Sequence, residues 1–271
     1  MDNRPIGVFD SGLGGVSIVK ELQRQLPNED LIYFGDTGRV PYGTRSRQTI
    51  IKYAKQDIRF LLSKNVKMII AACGTVSANL PAEYSDALEV PYCNILLPAA
   101  QAACSLSQSG RIGVIATTAS IKSGAYGRAM RNIRPNAVVI GNACPLFVPL
   151  VENGYIAPDN PVTRMVAEDY LKPFQQGDVD VLILGCTHFP IIAPIIDDVL
   201  EHRIPLINPG VETARQAEGI LLKNALLHEE GHVGTTDFFV SDNPDSFREV
   251  ASAFLDREID GEIHLVDVDS L

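Results

Sequence analysis

Short apolar segments alternate with longer amphipathic ones along almost the whole chain. The segments VKMIIAAC (66–73) and VDVLILGC (179–186) are nearly continuous apolar runs rich in Val, Ile and Leu, as expected for strands covered on both faces of a parallel sheet. Amphipathic stretches lie between such runs, at 16–26, 46–64 and 211–228. This alternation predicts an α/β fold with right-handed crossovers. Further strands are predicted at 6–10, 30–36, 111–117, 137–144 and 205–209.

A weak internal repeat predicts that the fold has two halves. The segment IGVFDSG begins at Ile6 and IGVIATT begins at Ile112, while Cys73 and Cys186 are each followed by hydroxyl residues. We therefore expect two pseudo-symmetric α/β domains, each a mostly parallel sheet flanked by helices. A ligand would bind in the cleft between them, because the carboxyl ends of parallel strands form such sites.

Proline and glycine mark the expected domain boundaries. The chain leaves the first domain near Leu96-Leu97-Pro98 and returns near Asn208-Pro209-Gly210. The first domain is then 1–97 plus 209–271, and the second is 98–208. The segment VGTTDFFVSD, a helix over 244–256 and the run IHLVDV are expected to complete the first domain.

Composition narrows the functional classes. The 271 residues carry a formal net charge of −10, which disfavours a general nucleic-acid surface because phosphate binding needs clustered Lys and Arg. The start MDNRPIGVFD has no basic region ahead of an apolar stretch, and no long uncharged apolar run follows. We therefore expect a cytoplasmic protein that acts on a small molecule, with no membrane partner.

The five cysteines indicate reduced thiols. They are widely spaced and form no Cys-x-x-Cys pair, which fits neither a disulfide framework nor a zinc ribbon. His188 follows Cys186 closely, but the other four histidines show no recognisable ligand spacing. We therefore expect no metal.

Two short segments, AACGT (71–75) and LGCTH (184–188), carry the strongest functional signal. Each places a cysteine and a threonine directly after a predicted strand, at the edge where α/β proteins bind ligands. A single cysteine there is as easily an inert core residue. Two cysteines in equivalent positions favour paired acid/base chemistry.

Other polar segments also follow strands. Asp10 and Ser11 begin a glycine-rich loop through Gly15, which could hold an anion, a dinucleotide with Asp36 as its acidic residue, or only turn the chain. Glu152 follows the apolar run 145–151 and is a candidate to orient His188. Thr117 and Thr118 repeat the strand-end placement, where helix capping is the simpler interpretation.

Taken together, these motifs resemble the glutamate racemases of the cofactor-independent aspartate/glutamate racemase superfamily. The similarity runs through nearly the whole chain and several motifs occur in order. They are GVFDSGLGG (7–15), FGD-T-x-R-x-PYG (34–43), AC-x-T (72–75), IGVIAT…S-x-x-Y (112–126), CPLFVPLVE-x-G (144–154) and GCTHFP (185–190).

The resemblance implies a role for each matched position. Cys73 and Cys186 would be the two proton donor/acceptors, the first acting on the D-enantiomer and the second on the L-enantiomer. The resemblance also implies a homodimer, no cofactor, and supply of D-glutamate for peptidoglycan. Asp10 would assist Cys73, Glu152 and His188 would assist Cys186, and the substrate-binding positions would be Asp10, Ser11, Tyr42, Gly43, Gly74, Thr75, Thr187 and His188.

The chemistry explains why two thiols are needed. Racemisation removes the α-proton from one face and delivers a proton to the other, which a single base cannot easily do. A free thiol has a pKa of about 8.5, so one member of the pair must be thiolate while the other stays protonated. The carbanion would be stabilised by directed N–H and hydroxyl groups in a water-poor cleft.

One residue departs from the family pattern and leaves alternatives open. Gly74 stands where the family usually has Asn, which removes a side-chain amide able to bind the substrate. A racemase for aspartate or another amino acid is therefore an alternative. A thiol hydrolase using Cys186 and His188 is another, although residues two apart in a strand-end turn are not expected to face each other. A non-catalytic small-ligand-binding protein is the third.

Overall fold

The computed structural model describes residues 1–175 and 179–268 and contains ten strands in two parallel sheets. The strands are β1 (Ile6–Asp10), β2 (Leu31–Gly35), β3 (Met68–Ala71), β4 (Tyr92–Asn94), β5 (Arg111–Ala116), β6 (Val138–Ala143), β7 (Val181–Leu184), β8 (Leu206–Ile207), β9 (Thr236–Val240) and β10 (Ile263–Leu265). The first sheet has the order β10-β9-β2-β1-β3-β4 and the second β6-β5-β7-β8. Within each sheet, all the described neighbouring strands pair in parallel. This arrangement confirms the predicted fold class.

Helices connect the strands, as parallel pairing requires. They are α1 (Val16–Gln25), α2 (Arg47–Ser63), α3 (Gly74–Asn79), α4 (Ala82–Ser85), α5 (Leu96–Leu106), α6 (Thr118–Ser123), α7 (Ala125–Ile133), α8 (Phe147–Glu152), α9 (Pro161–Leu171), α10 (Ala193–Val199), α11 (Pro209–Lys223) and α12 (Pro244–Leu255). Short 3-10 turns span Thr37–Arg39, Tyr42–Thr44, Lys172–Phe174 and Phe189–Ile192. None of the described helices combines the length and apolar composition needed to cross a membrane.

Local capping explains the helix limits. Ser46 accepts a hydrogen bond from the Thr49 N–H and begins α2, close to the predicted start. The predicted helix 211–228 begins earlier, at Pro209, because Asn208 accepts from the Gly210 N–H and proline suits a first helical position. It ends at Lys223, shortly before Ala225 adopts a left-handed conformation with φ 55°.

The two sheets divide the chain much as the repeat predicted. Strands β1 to β4, β9 and β10 form one sheet, and β5 to β8 form the other. The strand β4 was not among the predicted strands, since it is only three residues long. The domain limits themselves stay a prediction. The expected limit between residues 97 and 98 falls inside α5. Residues 176–178 and 269–271, which belong to the expected second and first domains, lie outside the described part.

The central strands of both sheets are buried. All five residues of β1 and of β2 are buried, as are all four of β3 and of β7. Each buried Val, Leu, Ile or Phe side chain contributes about 1.5–3 kcal/mol of hydrophobic free energy. The central strands are therefore rigid supports for the residues at their carboxyl ends.

Candidate active site

One cavity of about 350 Å³ lies at the carboxyl ends of the central strands of both sheets. Asp10 ends β1, and Cys73, Thr117 and Cys186 closely follow β3, β5 and β7. The cavity brings together every predicted site residue: Asp10, Ser11, Tyr42, Gly43, Cys73, Gly74, Thr75, Glu152, Cys186, Thr187 and His188. Since these residues come from both sheets, the site is completed only when the two halves pack together.

Cys73 occupies a buried corner between β3 and α3. Its side chain is 3% exposed, and its Sγ donates a hydrogen bond to Ser11 Oγ at 3.4 Å. Burial, followed by the charge of Asp10, raises the pKa of Cys73 to about 12. Cys73 is therefore a protonated thiol at neutral pH and is suited to donate a proton.

Asp10 lies behind Cys73 at the end of β1. Its Oδ2 accepts a hydrogen bond from the Gly12 N–H at 3.1 Å. Burial raises the pKa of Asp10, while the charge of His188 and nearby backbone N–H groups oppose that rise. Asp10 thus acts on Cys73 through its charge, and Ser11 is the residue in hydrogen-bond contact with the thiol.

Cys186 occupies the matching corner after β7, beside a histidine. Cys186 Sγ lies 3.7 Å from His188 Nδ1, and His188 Nε2 lies 3.0 Å from Glu152 Oε1. The expectation that Cys186 and His188 would not face each other is therefore wrong. His188 adopts a right-handed helical conformation at the start of a 3-10 turn, which folds its ring back toward the thiol.

His188 carries a positive charge at neutral pH. Burial lowers its pKa, but hydrogen bonds with Cys186 and Glu152 outweigh burial and raise the pKa to about 10. The Glu152 carboxylate, 3.0 Å from His188 Nε2, therefore supports the charge of the ring. The result is a cation next to the second thiol, whereas the first thiol faces the carboxylate of Asp10.

The glycine-rich loop packs the first sheet against the Cys186 corner. Ser17 Oγ donates to the Thr187 carbonyl at 2.8 Å. A Cβ at Gly14 would lie 2.2 Å from Thr187 Oγ1, so only glycine allows this approach. The loop and Ser17, in the first turn of α1, thus form a contact between the two halves.

Asp36 lies behind the cavity and supports the 42–44 turn. Its carboxylate is fully buried and accepts hydrogen bonds from Tyr42 Oη, from Arg39 Nε at 2.6 Å and from Ser241 Oγ at 2.8 Å. Tyr42 Oη also lies 3.1 Å from Asp57 Oδ2. The Tyr42 hydroxyl is therefore turned toward these carboxylates, and Asp36 is not placed to bind a nucleotide ribose at the cavity.

Some cavity residues were not predicted as site residues. Thr117 caps α6 by accepting from the Ser120 N–H at 3.4 Å, but its Oγ1 also lies 3.0 Å from Thr75 Oγ1 on the opposite half. The sequence could have indicated Thr117 as a site residue, because Thr117 directly follows β5 just as Ser11 directly follows β1. The remaining unpredicted lining residues are Gly12, Val40, Pro41, Thr44, Thr118, Pro145, Val148 and Pro149.

The arrangement can exchange protons on two sides of a small molecule. One thiol is a neutral acid, and the other lies beside a charged imidazole. Threonine hydroxyls and backbone N–H groups surround the space between them. Among the described residues, the only cluster of three metal-ligating groups is Asp30, His228 and His232, none of which lines this cavity.

Comparisons with known proteins identify the family. Residues 6–217 match the family described as Asp/Glu/Hydantoin racemase. The chain is 44% identical over 256 residues to a glutamate racemase of Chlorobaculum parvum, covering 94% of this chain and 93% of that protein. It is 39% identical over 267 residues to a glutamate racemase of Geobacter metallireducens, covering 98% of both.

A solved structure shows the same architecture. The crystal structure of glutamate racemase from Francisella tularensis in complex with D-glutamate superposes with a TM-score of 0.92 at 40% sequence identity and covers 100% of both chains. The matching motifs, the two parallel sheets and the paired thiol corners all agree with this similarity. The chain belongs to the Asp/Glu/hydantoin racemase family.

Proposed function

We propose that this protein is a glutamate racemase that interconverts L- and D-glutamate without a cofactor. The observation that carries the proposal is the presence of Cys73 and Cys186 at equivalent strand ends on one cavity. The relatives named above are glutamate racemases at about 40% identity over nearly the full chain, and one was solved with D-glutamate.

The reaction consists of two proton transfers. With L-glutamate bound, the Cys186 thiolate takes the α-proton, and the electron pair of the broken C–H bond remains on the α-carbon. The Cys73 thiol then gives its proton to the opposite face, which forms D-glutamate and leaves a Cys73 thiolate and a Cys186 thiol. The reverse direction uses the same two transfers in the opposite order, so the two thiols alternate as base and acid.

The surroundings of each thiol support its assignment. The His188 cation lies 3.7 Å from Cys186 Sγ, close enough to stabilise negative charge that develops on the sulfur during proton transfer. Cys73 faces Asp10 and Ser11 and keeps its proton because its pKa is about 12. The neighbours of the two thiols therefore differ in charge, as alternating roles of base and acid require.

The substrate would be held by polar groups on both sides of the cavity. Ser11, Thr75, Thr117 and Thr187 supply hydroxyls, and the 42–44 turn and the start of α3 supply backbone N–H groups. Tyr42 contributes its backbone, because its hydroxyl is bound to Asp36 and Asp57. Donors fixed before the substrate arrives stabilise a developing carbanion better than water does.

The biological setting follows from this activity. We propose that the enzyme supplies D-glutamate for bacterial peptidoglycan in the cytoplasm and works as a homodimer. Light scattering coupled to size-exclusion chromatography would check the dimer, since a homodimer has twice the 29.4 kDa of the chain. A monomer at all concentrations would contradict that part of the proposal.

Chiral chromatography of a substrate panel tests the activity. We expect purified protein without added cofactor to convert L-glutamate to D-glutamate, and D-glutamate to L-glutamate, to a final ratio of one. L-aspartate and other L-amino acids should react much more slowly. Faster conversion of aspartate would identify a different racemase, for which Gly74 in place of Asn would be the first residue to examine.

The contact between Cys186 and His188 also favours a second candidate, a thiol hydrolase. A thiol, an imidazole ring and a carboxylate in sequence are the groups that thiol hydrolases use, and here the distances are 3.7 and 3.0 Å. This function leaves Cys73 without a role. A covalent acyl adduct on Cys186, detected by mass spectrometry, would support it over racemisation.

A further inference from the structure

A second cluster of chemically reactive side chains lies at the opposite edge of the first sheet. Asp30 immediately precedes β2, whereas the cavity lies beyond the carboxyl ends of the strands. The five residues of β2 span roughly 16 Å at about 3.3 Å per residue. His228 and His232 reach Asp30 from the connection between α11 and β9.

The three side chains converge. His232 Nε2 lies 2.9 Å from Asp30 Oδ1, and His228 Nε2 lies 3.8 Å from Asp30 Oδ2. The two imidazole rings are stacked, with centroids 3.9 Å apart and planes at 19°. One ligand atom from each residue lies within 4.8 Å of the others.

These spacings suit three ligands of one metal ion. Zinc binds nitrogen and oxygen ligands at about 2.0–2.2 Å, which puts neighbouring ligand atoms of a tetrahedron roughly 3.3 Å apart. The imidazoles approach different oxygens of Asp30, His232 at Oδ1 (2.9 Å) and His228 at Oδ2 (3.8 Å), and one ligand atom from each of the three residues lies within 4.8 Å of the others, so the side chains would draw slightly together around an ion. The longer separation exceeds the range of a hydrogen bond, so hydrogen bonding alone does not explain why His228 faces Asp30.

His228 lacks the hydrogen bonds that a buried imidazole needs. The residue is 8% exposed, and its Nδ1 has no hydrogen-bond partner among the described residues. Buried polar groups in proteins are normally paired, and each exception needs an explanation. With the ring proton on Nδ1, the lone pair of Nε2, which faces Asp30 Oδ2 at 3.8 Å, is available to a metal ion.

Surrounding residues hold the carboxylate and the backbone in place. Asp30 Oδ1 accepts hydrogen bonds from both the N–H and the Oγ1 of Thr235, each at 2.8 Å, which leaves Oδ2 directed toward His228. The His228 N–H donates to Glu29 Oε1 at 2.8 Å, and Glu29 pairs with the buried Lys67. Supporting contacts of this kind orient the ligands of metal sites.

We propose that Asp30, His228 and His232 form a binding site for one divalent transition-metal ion of the zinc class. Two imidazole nitrogens and one carboxylate oxygen favour zinc, cobalt or nickel over magnesium and calcium, which prefer oxygen ligands. Water would complete the coordination. The ion would fasten the 224–235 connection to the start of β2, so its effect is on stability, and it takes no part in the chemistry at Cys73 and Cys186.

Cobalt binding tests the site directly. We expect full-length protein, first treated with a chelator and dialysed, to bind one Co²⁺ per chain and to develop visible d–d absorption bands. His228→Ala and His232→Ala should each weaken binding at least about tenfold. His202→Ala is the matched control, because His202 is an exposed histidine that pairs with Asp197 outside the cluster, and it should bind cobalt like the wild type.

Thermal unfolding provides the second measurement. Zn²⁺ at about 100 times its Kd should raise the Tm of the wild type by about 5 °C and leave that of His232→Ala unchanged. Circular dichroism verifies that the variants are folded. The proposal is overturned if the wild type binds no Co²⁺, if His232→Ala binds it equally well, or if a sulfur-to-cobalt charge-transfer band shows that cysteines hold the ion.

Discussion

The two thiols are the same kind of residue in opposite electrostatic surroundings. Cys73 faces the buried Asp10, and its pKa is about 12. Cys186 faces His188, which Glu152 keeps charged. A two-base reaction needs one acid and one base in each turnover, and the protein produces that difference with one neighbouring residue of each sign.

Removal of either thiol should abolish racemisation. Cys73→Ala and Cys186→Ala should each lower kcat/KM by at least about a thousandfold, because each deletes one of two required proton transfers. Chiral chromatography measures the rate and circular dichroism the fold. Cys104→Ala is the control, since Cys104 is also buried but lies outside the cavity. Turnover of either site variant at the Cys104→Ala rate would reject the two-thiol mechanism.

The charge of His188 can be followed by NMR. Its pKa is raised to about 10, so the ring binds its proton more tightly than a free histidine and should remain an imidazolium from pH 6 to about 9. Glu152→Gln removes one of the groups that raise the pKa, so the titration midpoint should move to lower pH. Long-range ¹H–¹⁵N spectra of the histidine rings report both midpoints. A His188 midpoint near pH 6.5 in the wild type would contradict this electrostatic assignment.

At the scale of the elements, the backbone that follows Cys73 packs directly against the backbone that precedes Cys186. A Cβ at Gly74, the first residue of α3, would lie 2.6 Å from the carbonyl oxygen of Gly185, just before Cys186. This contact leaves no room for a side chain at position 74 with the backbone as it stands. The short spacing of the corners thus depends on the absence of a side chain.

Gly74→Ala should therefore separate the corners. We expect the free energy of unfolding to fall by about 1–3 kcal/mol, as for other overpacked positions, together with a loss of kcat/KM. Urea denaturation and racemisation assays measure the two effects. Gly219→Ala in α11 is the control, because its Cβ would meet nothing within 4 Å, and it should be neutral or stabilising by up to about 1 kcal/mol. Wild-type stability and activity in Gly74→Ala would show that the corners adjust freely.

Local sequence patterns predicted the elements and the site residues that belong to them. Cys73 and Cys186 could be placed at strand ends because the apolar runs that precede them are local signals. The orientation of the His188 ring could not be predicted, because it depends on the 3-10 turn that follows this residue. The Tyr42 hydroxyl was likewise unpredictable, because its partner Asp57 lies on α2.

At the scale of the whole molecule, contacts between the two halves complete the site. Thr75 Oγ1 meets Thr117 Oγ1 at 3.0 Å, and Ser17 reaches the Thr187 carbonyl. The internal repeat predicted that two halves would face each other, but it could not predict pairings between residues far apart in sequence. The approach of His232 to Asp30 is a further example, since the two residues are 202 positions apart in the sequence.

Substrate should stabilise the whole molecule by joining the halves. In the inactive Cys73→Ser/Cys186→Ser variant, L-glutamate at about 100 times its Kd should raise the Tm by about 5 °C. L-aspartate at the same concentration should raise it less. Differential scanning fluorimetry measures both shifts. An equal shift with aspartate, or none with glutamate, would contradict the proposed substrate preference.

Deuterium incorporation into the product in D₂O tests the two-thiol reaction most directly. L-glutamate is incubated with the wild-type protein, and each enantiomer is isolated early in the reaction and examined by ¹H NMR at the α-position. If Cys186 removes the proton and Cys73 delivers one from solvent, the D-glutamate will be deuterated while the remaining L-glutamate keeps its α-proton. Early D-glutamate that retains the original proton would show that one base serves both faces.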